Sequence, residues 1–225
     1  MSIKQKKYLN SWSNFEIFLL LSSIYFIIIL GFVVKSNLLA ISVAFLGVFS
    51  SLNRAKGKVL SQTTGIILSI LYSIIAFQNK YYGEVIIYLF IMLPIYISSV
   101  YTWLKYKNNK TNEVLQNNIS KKTTLLLFII NFCLFFLLYF ILKIFNTNQL
   151  LLSTFSMLVK LNAAYLALKR NKYSFIFYTI SAIMLLMLWG IPIFNGQYEL
   201  LPMLFDSILL IINNIYGFVK WSKNK

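Results

Sequence analysis

Eight runs of apolar residues, most of them close to twenty residues long, follow one another along this chain. A helix needs ~20 residues to cross the ~30 Å hydrocarbon core of a bilayer. Only helices and closed barrels satisfy their own backbone hydrogen bonds there, and barrel strands alternate in polarity over about ten residues. Because these runs are continuous, the sequence predicts an all-α protein that spans a membrane.

The predicted transmembrane helices are eight in number. They cover residues 15–34, 38–53, 59–78, 82–104, 123–144, 148–168, 172–193 and 199–221. Only 12% of the chain is charged, against about 25% in soluble domains, which is too little to cover a water-soluble fold. The basic prefix before the first run is like that of a signal peptide. No small-residue cleavage site follows it, which favours a retained helix.

Basic residues indicate the orientation of the helices. The chain has a formal net charge of +16, which in a soluble protein would suggest nucleic acid. Here the charges lie in short loops, 17 on one side and three on the other, and positive loops stay in the cytoplasm. We therefore expect a multi-pass protein of a bacterial inner membrane with both termini cytoplasmic, in contact with lipid and not with nucleic acid. The 17 are Lys4, Lys6, Lys7, Arg54, Lys56, Lys58, Lys105, Lys107, Lys110, Lys121, Lys122, Lys169, Arg170, Lys172, Lys220, Lys223 and Lys225.

The inventory of reactive side chains argues against an enzyme. The chain has no histidine, one cysteine and five carboxylates, so neither a metal cluster nor a catalytic triad can be assembled. No glycine-rich phosphate loop is present. The sequence therefore predicts no catalytic residues, no metal and no cofactor, and it disfavours coupling to ATP or protons.

Two segments of the chain look like copies of each other. Glu84 and Tyr101 are 17 residues apart, as are Glu199 and Tyr216, and each pair brackets an apolar helix that ends in small polar residues. The sequence thus predicts a 3+1+3 arrangement behind one extra helix. Parallel repeats of this kind bind their substrate near the midplane, between the repeats. The predicted parts are 1–37 (terminus and extra helix), 38–104 (first three-helix repeat), 105–147 (loop and linker helix) and 148–225 (second repeat and tail).

The stretch from Asp206 to Trp221, with Tyr216-Gly217 near its end, resembles the terminal signature of PnuC-type vitamin transporters. Residues 57–103 also fit that family's pattern, through Gly57-Lys58, Gly65, Tyr72, Tyr82, Glu84 and Ser99-Val-Tyr101-Thr-Trp103. The resemblance implies a SWEET-like parallel repeat, often trimeric. It also implies facilitated diffusion of a vitamin precursor for NAD biosynthesis, usually nicotinamide riboside, which a cytoplasmic kinase then traps by phosphorylation.

The chain departs from that family at several positions. The family commonly has Gln where this chain has Ser98, Gly where it has Thr102, and a pair of tryptophans where it has Tyr173 and Phe177. Thiamine, another B vitamin or a nucleoside therefore stay open as the solute. A non-transporting assembly or sensory protein is the alternative from another class.

Polar and aromatic residues within the spans are candidates for substrate binding, because polar groups are costly in a membrane. Amides and hydroxyls suit ribose hydroxyls or a carboxamide, and aromatic rings can stack on a heteroaromatic base. The competing explanation is hydrogen bonding between helices or simple packing. The candidates are Ser98, Asn162, Asn213, Asn214, Tyr72, Tyr88, Tyr178 and Trp189.

Four further residues are candidates for gating. Tyr101 and Tyr216 occupy equivalent places in the predicted repeat, and Glu84 and Asp206 lie toward the outer ends of their helices. Lys160 is the one lysine well inside a span. We expect it either to extend toward the 169–172 turn or to pair with Asp206 or Glu199.

Overall fold

The computed structural model describes residues 12–223, apart from the side chains of residues 121–126 and 128. Lys4, Lys6, Lys7 and Lys225, which were counted on the basic side, lie outside the described residues. Within this part of the chain the fold is all-α, with one isolated β-bridge between Lys107 and Val114.

Eight helices follow the predicted spans to within two residues at each end. They are α1 (Asn14–Val33), α2 (Leu38–Ala55), α3 (Leu60–Gln78), α4 (Tyr82–Lys105), α5 (Lys121–Ile144), α6 (Leu150–Leu168), α7 (Ser174–Phe194) and α8 (Leu201–Lys223, after a 3₁₀ turn at Tyr198–Leu200). Seven are long and apolar enough to cross a membrane, and the described part of α5, Ile129–Ile144, is also apolar. The prediction of an eight-helix membrane protein is confirmed.

Six of these helices form a closed ring. Neighbours along the ring are α2, α3, α4, α6, α7 and α8, and α8 packs back against α2. The first helix of each three-helix unit, α2 or α6, thus contacts the last helix of the other unit. Outside the ring, α1 packs against α2 and α8, and α5 packs against α6.

A π-helical segment, Ile87–Met92, interrupts α4 just before Pro94. Proline has no N–H to donate to the preceding turn, and a π segment accommodates such a break by adding one residue to a turn. Residues beyond it are rotated by about 100° relative to a straight α-helix. The segment therefore decides which residues of the second half of α4 face the ring.

The loop of residues 106–120 crosses the end of the ring that carries Lys56, Lys169 and Lys220, called here the basic end. Val114 donates its N–H to the carbonyl of Gly57 (2.9 Å), between α2 and α3. Asn117 donates its N–H to the carbonyl of Arg170 (3.0 Å), between α6 and α7. The Gln116 amide donates to the carbonyl of Trp221 (2.9 Å) on α8. The loop thus fastens both units at the basic end.

Candidate functional site

A cavity lies inside the ring, and every ring helix contributes to its wall. Its volume is about 40 Å³, and one water needs roughly 10–15 Å³ measured in this way. This conformation therefore has room for a few waters, and a nucleoside-sized solute would require the helices to separate. The lining residues are Gly47, Ser50, Arg54, Leu68, Tyr72, Tyr88, Met92, Tyr96, Lys160, Tyr178, Ser181, Ala182, Leu185, Asp206, Leu210 and Asn214.

The last helices of the two units face the cavity in the same way. On α8 the lining residues are Asp206, Leu210 and Asn214, spaced by four, and on α4 they are Tyr88, Met92 and Tyr96, also spaced by four. Residues four apart share one face of a helix. In the structure, Asp206 of α8 is therefore equivalent to Tyr88 of α4, and Asn214 is equivalent to Tyr96. The sequence had paired Tyr101 with Tyr216, which is a register three residues different.

Arg54 is a cavity residue that the sequence reasoning missed. We predicted it to lie in a basic loop, but it belongs to the last turn of α2 and only 6% of it is exposed. Its guanidinium carbon lies 3.7 Å from the centre of the Tyr178 ring, and its Nη2 donates to Oδ1 of Asn214 (3.4 Å). Its helical spacing from Gly47 and Ser50 is the signal that could have found it.

Asp206 contributes a carboxylate to the cavity from the first third of α8. Only 5% of the residue is exposed, and its Oδ1 has no hydrogen-bond partner among the described residues. Its two oxygens would lie 2.6 Å from a Cβ placed on Gly47. The missing side chain at Gly47 is thus what lets the Asp206 carboxylate lie against α2.

Lys160 forms a buried ion pair with Glu84. The two residues are 2% and 0% exposed, the ammonium contacts a Glu84 oxygen, and Ser156 donates to the other oxygen (2.6 Å). The expectation that Lys160 extends toward the 169–172 turn or pairs with Asp206 or Glu199 was wrong. The partner lies on an earlier helix, α4, because the ring brings α4 against α6. The pair joins the two units.

Stacked aromatic rings form one side of the cavity. The rings of Tyr72 and Tyr88 are 4.2 Å apart between centroids and nearly parallel, and the Lys160 ammonium lies 4.8 Å from the centroid of Tyr88. Trp189 lies behind them, edge-on to Tyr72, and donates its indole N–H to the Tyr72 hydroxyl (3.2 Å). Trp189 therefore supports the aromatic wall without lining the cavity.

The cavity brings together Tyr72, Tyr88, Tyr178, Asp206 and Asn214 among the predicted site residues. The remaining candidates lie elsewhere in the fold, and each has other surroundings. Asn213 donates to Ser51 (2.8 Å), Asn162 exchanges hydrogen bonds with Asn131 of α5 (2.8 and 2.9 Å), and Tyr216 donates to Glu16 (2.8 Å). Ser98 is exposed, and Tyr101 is 70% exposed.

A cluster around Glu16 fixes α1 to the basic end. Glu16 is buried and accepts hydrogen bonds from Lys56 (2.5 Å) and from Lys220 (2.9 Å). Its own helix begins with a capping box, in which Ser13 and Glu16 bond each other. Burial lowers the pKa of Lys56, and the Glu16 carboxylate opposes that shift. The extra helix is thus tied to α2 and α8, at the junction between the two units.

Comparison with known proteins assigns the architecture to a family. The family model described as "Nicotinamide mononucleotide transporter" matches residues 37–223, which includes the whole six-helix ring. The chain belongs to this family. Its first 36 residues, which include all of α1, lie outside the matched region.

Two relatives extend the comparison with this transporter family. The nicotinamide riboside transporter PnuC of Neisseria mucosa is 21% identical over 225 residues, 97% of this chain and 85% of that protein. A crystal structure described as that of the vitamin B3 transporter PnuC matches with a TM-score of 0.87 at 21% identity, covering 99% of this chain and 97% of the other. The family member described here therefore has the PnuC fold.

Proposed function

We propose that this chain carries a vitamin precursor across the membrane by facilitated diffusion, with nicotinamide riboside as the first candidate. The observation that carries the proposal is the cavity inside the ring, which both three-helix units line with aromatic, amide and charged side chains. A solute that binds there is held between two units that can move against each other, as alternating access requires.

The names of the relatives support a nicotinamide nucleoside or nucleotide. One relative is named for the riboside and the family model for the mononucleotide. The departures at Ser98, Thr102, Tyr173 and Phe177 keep thiamine, another B vitamin and other nucleosides as alternative solutes. A binding panel should therefore contain all of them.

The cavity residues suggest how such a solute is held. Tyr72, Tyr88 and Tyr178 offer ring faces for stacking, which contributes ~1–3 kcal/mol per base in nucleic-acid sites. Asn214 and Arg54 supply N–H donors at one end of the cavity, where ribose hydroxyls or a carboxamide oxygen would accept. The Glu84–Lys160 pair bridges α4 and α6, and we propose that it holds the units together on that side of the ring. Tyr101 and Tyr216 remain candidates for gating nearer the basic end.

We propose a bacterial inner-membrane location with the basic end, and hence both termini, in the cytoplasm. The excess of lysine and arginine at that end supports this orientation. Facilitated diffusion does not concentrate its solute. A cytoplasmic kinase that phosphorylates the imported solute would trap it in the cell and so make net transport inward. A homotrimer in contact with membrane lipid is part of the proposal, which native mass spectrometry of the purified protein in detergent would test.

The decisive test is calorimetric binding to the purified chain. The panel contains nicotinamide riboside, nicotinamide mononucleotide, thiamine, riboflavin and uridine, and we expect saturable binding of one class. Asn214→Ala should weaken that binding. Thr102→Ala, near the basic end of α4 and away from the cavity, should leave it unchanged. A chain that binds none of the panel would contradict the transporter proposal and favour the assembly or sensory class.

Uptake into proteoliposomes tests the energetics. Without a kinase inside, the solute should equilibrate and reach equal concentrations on both sides. With a kinase and ATP enclosed, it should accumulate as the phosphorylated product. Accumulation of unmodified solute under an ion gradient would contradict facilitated diffusion.

A further inference from the structure

Asp206 is an acidic group that the fold buries without placing a cation beside it. Among the residues that the structure describes, its Oδ1 has no hydrogen-bond partner, and no lysine or arginine lies within ion-pair distance of it. Burying an acidic group inside a membrane protein is costly unless it is paired. Because Asp206 lines the cavity, a cationic ligand that enters the cavity could supply the missing partner.

The two cations that also line the cavity do not fill this role. Lys160 is already neutralised by Glu84 on the neighbouring helix. Arg54 lies seven residues from Gly47, the residue against which Asp206 packs, and this spacing is roughly 10 Å along α2. The guanidinium is instead stacked on Tyr178 and bonded to Asn214. The cavity therefore has an acidic part at Asp206 and a donor-rich part at Arg54 and Asn214.

The surroundings of Asp206 suit a flat cation. Tyr72 and Tyr88 line the same cavity as Asp206. Aromatic faces attract organic cations, so a positively charged ring would be favoured by the carboxylate and by the tyrosines together. An uncharged ring would keep the stacking and lose the ionic attraction.

We propose that Asp206 is the counter-ion for a cationic heteroaromatic ring in the transported solute, with the oxygen-rich part of that solute at Arg54 and Asn214. The assignment rests on the proposed function and narrows it to one chemical class. The pyridinium ring of nicotinamide riboside and the thiazolium ring of thiamine belong to this class, whereas riboflavin and uridine have uncharged rings and do not.

Matched pairs of ligands test the assignment on the purified chain. Nicotinamide riboside and its 1,4-dihydro form have the same ribose and carboxamide, but only the first ring is charged. Thiamine and its 3-deaza analogue form a second such pair. We expect the wild-type chain to bind the cationic member of one pair about tenfold or more tightly than the neutral member, as an unscreened ionic contact would give.

Asp206→Asn keeps the shape of the side chain and removes the charge. We expect this variant to lose about tenfold or more in affinity for the cation and to bind the neutral member as the wild type does, which also shows that it is folded. Ser207→Ala is the matched control, because the Ser207 hydroxyl donates to the Met203 carbonyl of its own helix (2.9 Å) and does not line the cavity. It should retain the preference for the cation.

Three results would overturn the assignment. Asp206→Asn could keep the full preference for the cation, or it could weaken both members of the pair equally, as a purely structural residue would. The wild type could also bind riboflavin or uridine and neither cation, in which case the transport proposal survives with another solute. A wild type that binds nothing contradicts the proposed function as well, so the two failures are distinguishable.

Discussion

Trp103 and Trp221 make the same hydrogen bond from corresponding places in the two units. The indole N–H of Trp103 on α4 donates to the carbonyl of Ala167 at the end of α6 (3.1 Å). The indole N–H of Trp221 on α8 donates to the carbonyl of Ala55 at the end of α2 (3.0 Å). Each bond therefore fastens the last helix of one unit to the first helix of the other, at the basic end.

These two bonds should contribute alike to stability. Trp103→Phe and Trp221→Phe each remove one buried hydrogen bond and some packing, which costs about 1–3 kcal/mol. We expect both variants to lower the apparent melting temperature in detergent by similar amounts, within a few degrees of each other. Tyr101→Phe, at an exposed position of the same helix, is the control and should leave the melting temperature unchanged. A large effect of one tryptophan alone would show that the two contacts are not equivalent.

The Glu84–Lys160 pair should show strong coupling in a double-mutant cycle. Glu84→Gln leaves the Lys160 ammonium buried without its counter-ion, which typically costs 3–5 kcal/mol. The double variant Glu84→Gln with Lys160→Met removes both charges, and we expect it to recover much of the lost thermal stability. Additive losses in the double variant would mean that the two charges do not depend on each other.

The absence of a side chain at Gly47 should be needed for the Asp206 carboxylate to keep its place. A Cβ at Gly47 would lie 2.6 Å from both Asp206 oxygens, whereas a Cβ at Gly190 meets nothing closer than 3.7 Å. We expect Gly47→Ala to displace α8 from α2, lower the melting temperature and weaken solute binding. Gly190→Ala, a matched helical control, should be neutral or slightly stabilising. Equal behaviour of the two variants would contradict the close approach of α2 and α8.

The eight helices could be predicted because their cause is local. A run of about twenty apolar residues has to become a helix if it lies in lipid, and the lysine-rich turns mark where each run stops. The end of α2 was predicted two residues too early. Its last turn contains Asn53 and Arg54. Polar residues at the end of a short apolar run are typical of a loop, and this is why the helix was predicted to end earlier. Whether such an arginine faces solvent or a cavity depends on the rotation of the helix, which composition does not encode.

The face of α4 could not be predicted because of its π segment. In a straight helix at 100° per residue, Ser98 would lie within about 40° of the direction of Glu84. One extra residue in a turn rotates that position away by about 100° and brings Ser99 to the same direction instead. Ser99 is accordingly buried and Ser98 exposed.

The partner of Lys160 could not be predicted for a different reason. Its carboxylate comes from α4, in the other unit and 76 residues earlier in the chain. Sequence reasoning considered only the carboxylates on later helices. The order of helices around the ring decides such a pairing, and nothing near Lys160 in the sequence records that order.

Glu16 should be what holds the extra helix α1 to the ring. Glu16→Gln removes the carboxylate that both Lys56 and Lys220 contact, and it leaves Lys56 buried beside an uncharged amide. We expect a lower melting temperature and faster proteolysis of the connection between α1 and α2. Glu199→Gln, which replaces an exposed carboxylate, should change neither. A Glu16 variant as stable as the control would mean that packing alone retains α1.

The central claim is that a solute crosses the membrane through the cavity inside the ring. The most direct test is uptake of labelled nicotinamide riboside and, in parallel, thiamine into proteoliposomes that contain the purified chain. We predict saturable uptake of one of them to equal concentrations, which Tyr178→Ala or Asn214→Ala abolishes and Ser98→Ala, on the exposed face of α4, does not. Uptake that depends on Ser98 and is indifferent to both cavity residues would contradict the account.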